Sequence, residues 1–355
     1  MLDLSFYKGK KVLVTGHTGF KGSWLCHLLL LAGADVTGYA LNPPTTPSLF
    51  GLTGLEKRMD SIQGDIRDFE KLEMLFTAYE PEIVFHLAAQ PIVRTSYWLP
   101  RMTFETNVMG TVNILECIRN SKSVRSFVNV TTDKVYLNQD DDKAFTEDMP
   151  LDGYDPYSNS KSCSELVTHS YVKSYFLSPD TPAVSTARAG NVIGGGDFAR
   201  DRLIPDCVRA AEEGKAVVLR NPNSTRPFQH VLEPLTIYME IAEKQYSDKE
   251  KYADSYNVGP DLEDVKSAGE LAEMFCQAYG NGLSWRVEGK GGPHEAAFLR
   301  LDCSRLKQRF GWKSVWRIDK AVEKTAEWTR VYLSGGDVAK EVEDEIADYL
   351  KDAGI

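Results

Sequence analysis

The chain is expected to fold as a doubly wound α/β sheet, mostly parallel, with a smaller and irregular α/β lobe towards its C-terminus. Three observations carry that expectation. Strand-like apolar runs alternate with helix-length amphipathic segments through the first half, three spaced glycines stand at the first strand-to-helix junction, and the alternation breaks up after Gly190.

The elements follow in order: Val12–Thr15 as a buried strand, Phe20–Leu31 as a helix, Asp35–Leu41 as a strand, and Phe69–Ala78 as a helix. Ile83–Leu87 continues as strand, Pro100–Asn120 as helix, Phe127–Thr131 as strand, Tyr157–Tyr175 as helix and Ala183–Arg188 as strand. Such alternation needs a parallel sheet covered by helices on both faces. Beyond it, Gly194-Gly195-Gly196, Pro205, Asn221-Pro222 and Lys290-Gly291-Gly292-Pro293 punctuate shorter elements. The expected division is a domain over 1–190 and a second lobe over 191–355, some of whose segments return to the sheet.

At 355 residues with 42% apolar composition the chain can bury such a core. Its net charge of -10 argues against nucleic acid or an anionic membrane as partner, because a basic face normally supplies that affinity. The six cysteines (Cys26, Cys117, Cys163, Cys207, Cys276, Cys303) form no CxxC pair, so neither a metal site nor a disulfide framework is expected. Around Asp3 and Lys8 there is no signal-peptide core, and the longest uncharged apolar stretch, Ser23 to Ala34, is too short to span a bilayer. A cytoplasmic location is expected.

Lys11-Val12-Leu13-Val14-Thr15 runs directly into Gly16-His17-Thr18-Gly19-Phe20-Lys21-Gly22 and then Ser23-Trp24-Leu25. A strand that turns into a helix through glycines presents backbone N–H groups to a pyrophosphate. In this setting the motif points to a Rossmann-type dinucleotide site, and its GxxGxxG spacing resembles the short-chain dehydrogenase/reductase superfamily. Where an acid usually grips the adenosine ribose, the sequence has Gly38-Tyr39-Ala40-Leu41-Asn42, with neither acid nor arginine, which favours NAD over NADP. Gly64-Asp65-Ile66-Arg67-Asp68 and His86-Leu87-Ala88-Ala89-Gln90 follow strands three and four. By resemblance Asp65 meets the adenine amine, with Ile66 beside it, and Ala88-Ala89 let the backbone approach the cofactor. The same resemblance adds Gly16, Thr18, Gly19, Phe20, Lys21, Gly22, Asn42, Leu87, Gln90 and Asn107 as cofactor contacts.

Asp155-Pro156-Tyr157-Ser158-Asn159-Ser160-Lys161 opens a helix that puts Tyr157 and Lys161 on one face. A tyrosine must be lowered by about three units, roughly 4 kcal/mol, to act as a base near neutral pH. A cation about 4 Å away at an effective dielectric near 20 supplies roughly that amount. Lys161, helped by a positive nicotinamide ring, can thus make Tyr157 a proton acceptor that serves with the cofactor. A second cluster, Thr132-Asp133-Lys134, follows the strand Phe127–Thr131.

Reductases and epimerases of the superfamily carry a plain Ser or Thr at the Thr132 position, whereas nucleotide-sugar 4,6-dehydratases add an acid–base pair after it. Asp-Lys resembles the CDP-glucose 4,6-dehydratase family. The likeness extends to Ala40-Leu41-Asn42-Pro43-Pro44-Thr45-Thr46-Pro47-Ser48-Leu49-Phe50, to Arg188-Ala189-Gly190-Asn191-Val192-Ile193-Gly194-Gly195-Gly196-Asp197, and to Arg226-Pro227-Phe228-Gln229-His230-Val231-Leu232-Glu233-Pro234. It implies an NAD-dependent, redox-neutral elimination on CDP-glucose in deoxysugar and surface-polysaccharide synthesis. Thr132, Asp133, Lys134, Tyr157 and Lys161 would be catalytic. Adjacent Asp133 and Lys134 in contact would form an ion pair. On an extended segment they would point to opposite sides, Lys134 acting as base or as a cation that stabilises an enolate.

A diphosphate needs cationic forks. Asn191, Arg202, Arg220, Arg226, His230, His294 and Arg300 fall in the second lobe, and the resemblance favours Asn191 and Arg226, with His230 nearby. Gly292-Pro293-His294-Glu295-Ala296 departs from dTDP-sugar enzymes, which carry an arginine in this neighbourhood. Alternatives are another nucleotide-sugar dehydratase or epimerase, for example on a GDP- or UDP-sugar, and a catalytically silent dinucleotide-binding regulator. A homodimer is expected through a four-helix interface of the helices Pro100–Asn120 and Tyr157–Tyr175, with Val108, Val112, Leu115, Leu166 and Val167 as candidate contacts.

Overall fold

The computed structural model describes residues 1–138, 143–288 and 299–355. Strands β1 (Lys11–Thr15), β2 (Asp35–Ala40), β3 (Asp60–Gln63), β4 (Ile83–His86), β5 (Ser126–Val130), β6 (Ala183–Ala189) and β7 (Ser255–Val258) form one sheet in the order 7-6-5-4-1-2-3. Every pairing in it is parallel. The order reverses between β1 and β4, and at that switch point the carboxyl ends of the strands diverge into a crevice.

Helix α1 (Phe20–Leu31) is buried continuously from Gly22 to Leu29, as its apolar run around the whole circumference requires. Helix α2 (Phe69–Tyr79) is capped by Asp68, whose carboxylate accepts from Lys71 N. After α3 (Val93–Trp98), the helix expected over 100–120 is in fact three pieces: α4 (Pro100–Phe104), a π turn at Glu105–Met109, and α5 (Gly110–Asn120). The widened turn carries Asn107, whose side chain bonds both Gln90 N (2.8 Å) and Ser160 Oγ (2.8 Å). Helix α6 (Pro156–Tyr175) lies against α5, tied to it by Thr111 Oγ1 and Ser164 Oγ at 2.8 Å.

The seventh strand comes from beyond residue 190. It is preceded by α7 (Leu203–Glu213) and α8 (Leu232–Ser247), and α8 packs on the sheet, with Ser126 Oγ donating to Ala242 O at 2.9 Å. The second lobe gathers α7, α9 (Ala268–Tyr279) and α10 (Ile318–Leu333) around a separate apolar core that includes Ile204, Phe275 and Val322. Short strand pairs join its loops: Val192–Ile193 with Gln229–His230, Thr225–Arg226 with Lys266–Ser267, and Val217–Leu219 with Trp285–Val287. The last helix, α11 (Val338–Ala353), closes over α1. Among the described residues no helix is long and apolar enough to cross a membrane.

Of the expected interface positions, Leu115 is fully buried in the core under β4 and β5, so it packs inward and cannot meet a partner. Leu166 is exposed (53%), as is Met109 (50%) on the adjoining π turn.

Candidate active site

A single cavity of about 1950 Å³ runs from the β1–α1 turn across the carboxyl ends of the strands into the second lobe. At its near end Gly16 adopts φ +77, and a Cβ there would lie 2.7 Å from Ala88 N. A Cβ on Gly22 would lie 2.2 Å from Gly16 O, so backbone excludes a side chain at both positions. Gly19 differs: its added Cβ would meet only Gly16 O, at 3.4 Å. Gly19 is also the N-cap of α1 and offers no side-chain cap, which leaves the first N–H groups of the helix turned to the cavity. That arrangement fits a pyrophosphate.

His17 fills the place where a side chain at position 38 would stand, since a Cβ on Gly38 would lie 2.2 Å from the imidazole. Its Nε2 sits 2.7 Å from Ser61 Oγ, and burial lowers it to about 4, so the ring is neutral. This packing explains the glycine at position 38 within β2. Thr18 Oγ1 donates to Leu41 O at 2.9 Å and fixes the loop to that strand end. Asp65 is held in a fork by Arg67, with Nη2 at 2.6 Å and Nε at 3.0 Å, and Arg67 keeps the carboxyl below its ordinary range. Arg67 lines the cavity and was missed in the sequence, although the Asp-x-Arg turn was its signal.

The catalytic candidates converge at the middle of the cavity, where Thr132, Asp133, Lys134, Tyr157 and Lys161 all line it. Tyr157 is placed by the N-cap of α6, because Asp155 Oδ1 accepts from Tyr157 N and Ser158 N, each at 3.0 Å. Lys161 Nζ donates to Val130 O at 3.1 Å, at the end of β5. Burial lowers Lys161 to about 8, opposed by the Glu165 carboxylate one turn further along. Tyr157 is pushed up to about 12 by burial, which outweighs the lowering from its hydrogen bond with Thr132. The lowering of Tyr157 expected from Lys161 is therefore not supplied by the protein's own groups.

The separation expected for Asp133 and Lys134 is corrected by the structure. Beyond Thr132 the chain does not stay extended but enters a 3-10 turn, Asp133–Val135, with Thr132 as its N-cap. The turn folds the two side chains together: Lys134 Nζ lies 2.9 Å from Asp133 Oδ1 and 3.1 Å from Asn191 Oδ1. Thr132 Oγ1 donates to the same Asp133 Oδ1 at 3.0 Å.

Behind this floor, and sealed from solvent, Glu165 accepts from Thr131 Oγ1 (2.5 Å), Thr186 Oγ1 (2.8 Å) and Arg188 Nη2 (2.9 Å). Lys21 reaches the cluster from the glycine turn. Burial lowers it to about 7, with Arg202 adding repulsion and Asp133 opposing.

Gly16, Thr18, Gly19, Phe20, Lys21, Gly22, Asn42, Asp65, Ile66, Leu87, Ala88, Ala89 and Gln90 line the cofactor end; Asn191, Arg202, Arg220 and Arg226 line the far end. Arg202 Nη1 bonds Asp197 Oδ2 at 2.9 Å, and its charge is felt at both Tyr157 and Lys21. Three expected contacts lie elsewhere. Asn107 is buried behind Gln90 and orients that backbone rather than facing the cavity. His230 is fully buried, with Nε2 2.7 Å from Glu345 Oε1, so its place is inside the fold. Arg300 does not line the cavity, and its carbonyl accepts from Phe145 N at 2.9 Å. His294 lies outside the described residues. An ion pair not foreseen from sequence, Arg94 to Asp201 at 2.9 Å, joins α3 to the loop before α7 across the cavity wall.

A parallel sheet whose switch point joins a glycine cradle to a tyrosine–lysine helix is the construction of the extended short-chain dehydrogenase/reductases. Residues 13–325 match the family model described as GDP-mannose 4,6 dehydratase. CDP-glucose 4,6-dehydratase of Salmonella typhimurium is 45% identical over 354 residues, covering 99% of each chain. The chain belongs to this nucleotide-sugar 4,6-dehydratase family. Solved structures share the fold: dTDP-glucose 4,6-dehydratase of Bacillus anthracis in complex with NAD has a TM-score of 0.74 at 22% identity, over 92% of this chain and 99% of that one. UDP-glucose 4-epimerase of Thermus thermophilus in complex with NAD has a TM-score of 0.76 at 23% identity, over 90% and 98%.

Proposed function

We propose that the chain is a hydro-lyase that converts CDP-D-glucose to CDP-4-keto-6-deoxy-D-glucose and water. The observation that carries the reading is the contact of Asp133 and Lys134 beside Thr132 and Tyr157, within the cavity that begins at the glycine cradle. An epimerase has no use for an acid–base pair next to its threonine, whereas loss of the C6 hydroxyl requires one. The 45% identity to the Salmonella enzyme supports the cytidine nucleotide over other bases.

Tyr157 takes the proton of the C4 hydroxyl, and Thr132 orients the same oxygen. Lys134 and Asp133 then serve the C5 proton and the C6 oxygen. Gly16, Gly19, Gly22 and Ala88-Ala89 would cradle NAD, which would supply the hydride acceptor for C4 and donor for C6 and a positive ring whose charge adds to that of Lys161 beside Tyr157. Arg202, Arg220 and Arg226 are placed to meet the diphosphate and nucleotide.

The reading extends to a sheet domain over 1–190 and a nucleotide-sugar lobe over 191–355, with α8 and β7 returned to the sheet. It includes a homodimer in which Met109, Val108, Val112, Leu166 and Val167 on the α5 and α6 face meet their copies, and a cytoplasmic place of work in deoxysugar synthesis. The test is incubation with CDP-, dTDP-, UDP- and GDP-glucose, followed by alkaline absorbance of a 4-keto sugar. Product from CDP-glucose at the greatest kcat/KM is expected; turnover confined to another nucleotide overturns the assignment of the base.

A further inference from the structure

The turn that carries Asp133 and Lys134 is held at both ends by one buried ion pair. Arg188 on β6 and Glu165 on α6 meet at 2.9 Å, with side chains 1% and 0% exposed. Before the turn, Thr131 Oγ1 donates to Glu165 Oε1 at 2.5 Å. After it, the Tyr136 hydroxyl accepts from Arg188 Nη1 at 3.0 Å. Ser162, also on α6, fixes the last residue of the turn, its Oγ donating to Val135 O at 2.7 Å.

Asn257 on β7 sets the direction of the bonds at Tyr136. Its amide nitrogen donates to Phe145 O (2.7 Å) and Asp302 O (3.0 Å), so its Oδ1 is turned to Tyr136 and accepts the one phenol proton at 2.5 Å. The Tyr136 oxygen is left as an acceptor for Arg188. Its ring stacks on Phe145, with centroids 4.9 Å apart.

Burying two charges costs several kcal/mol per ion, which their attraction offsets only when the remaining donors and acceptors are also satisfied. Here Arg188 Nε is buried without a hydrogen-bond partner among the described residues. Stability alone is therefore a poor account of the pair. Position is a better one, because the pair grips the residues on either side of Thr132 to Val135. Within that stretch the Asp133 and Lys134 heads must meet neighbouring carbons of one sugar, and a misplacement of about 1 Å can cost about a hundredfold in rate.

We propose that Glu165, Arg188 and Tyr136 are positioning residues for the elimination, a bracket that holds the Asp133–Lys134 turn at both ends. The inference rests on the dehydratase reading above. Tyr157 and Lys161 stand outside the bracket: Asp155 holds the backbone of Tyr157, and Lys161 is bonded to Val130 O. Thr132 adjoins the Thr131 anchor, which does not pass through Tyr136. Loosening only the Tyr136 end therefore displaces Asp133 and Lys134 and spares the oxidation.

The experiment is a single turnover of holoenzyme with CDP-glucose, in which loss of substrate reports oxidation and decay of the reduced-nicotinamide absorbance reports the later steps. Tyr136→Phe keeps the ring on Phe145 and removes only the hydroxyl. Its initial loss of CDP-glucose should keep the wild-type rate, while the absorbance decays at least about tenfold more slowly and KM stays within about twofold. Thr186→Val is the control for lost stability: it removes another donor to Glu165 Oε2, at 2.8 Å, without touching either end of the turn. Both of its rates should match wild type. A Tyr136→Phe enzyme slowed equally in both steps, or in neither, overturns the positioning role. So does a Thr186→Val enzyme that reproduces the slow decay, since weakening of the core and not position would then be the cause. Wild type that makes no keto sugar from CDP-glucose overturns the dehydratase reading, and the bracket's role with it, before any variant is compared.

Discussion

His230 Nε2 and Glu345 Oε1 meet at 2.7 Å with neither residue in contact with solvent, and so fasten the strand end before α8 to the terminal helix α11. Trp24 and Trp316 close around the imidazole, with ring centroids at 6.1 Å and 5.1 Å. Deleting the imidazole opens a cavity between the two indoles and leaves the Glu345 carboxyl buried without this neighbour, at a cost of about 3–5 kcal/mol. His230→Ala is expected to lose that much stability in urea unfolding while the KM for nucleotide sugar of the folded enzyme stays within about twofold. A tenfold rise in KM with unchanged stability would return His230 to the substrate site.

Glu233, three residues on, gives a pH signature. Its Oε1 accepts from Val315 N (2.9 Å) and Trp316 N (2.6 Å), and burial raises it to about 7. The unfolded carboxyl titrates near 4.3. Between these values the folded chain holds a proton that the unfolded chain has lost, so stability from this group is full below about 4.3 and is lost as the pH rises towards 7. The full drop is about 4 kcal/mol, and Glu233→Gln should abolish it. Denaturant midpoints from pH 5 to 8 measure this; parallel profiles for variant and wild type would contradict it.

The glycine turn separates folding from cofactor binding. Gly22→Ala forces a Cβ against Gly16 O and should prevent a native β1–α1 turn, seen as a large loss of thermal stability. Gly19→Ala has room for its methyl and should fold normally, yet the methyl stands at the uncapped N-terminus of α1, where the pyrophosphate would lie. A Kd for NAD raised about tenfold or more, with stability changed by less than about 1 kcal/mol, is the expected result, read by calorimetry.

What the sequence made legible was local. The β1 strand, its glycines and α1 are one continuous pattern, and Tyr157 and Lys161 share a helix face at a fixed spacing, so both could be placed without tertiary information. What it hid depended on distant partners or on a single turn. Asp133 and Lys134 continue a strand in sequence, but the Thr132 cap bends them into a 3-10 turn and into contact. Leu115 fits an apolar interface stripe equally well whether it points outward or into the sheet, and only packing decides. Arg94 and Asp201, and likewise His230 and Glu345, are joined by the topology, and neither member signals the other locally.

The central claim is that Asp133 and Lys134 perform the elimination while Tyr157, Lys161 and Thr132 perform the oxidation. The combined variant Asp133→Asn, Lys134→Met leaves the oxidation groups in place, and the measurement is absorbance of the reduced nicotinamide after mixing the holoenzyme with CDP-glucose. The expected result is a persistent rise of about one equivalent per site, with a bound 4-keto-glucose nucleotide and no water loss. Exchange of solvent deuterium into C5 and release of 6-deoxy product at the parent rate would show that other groups carry out the elimination.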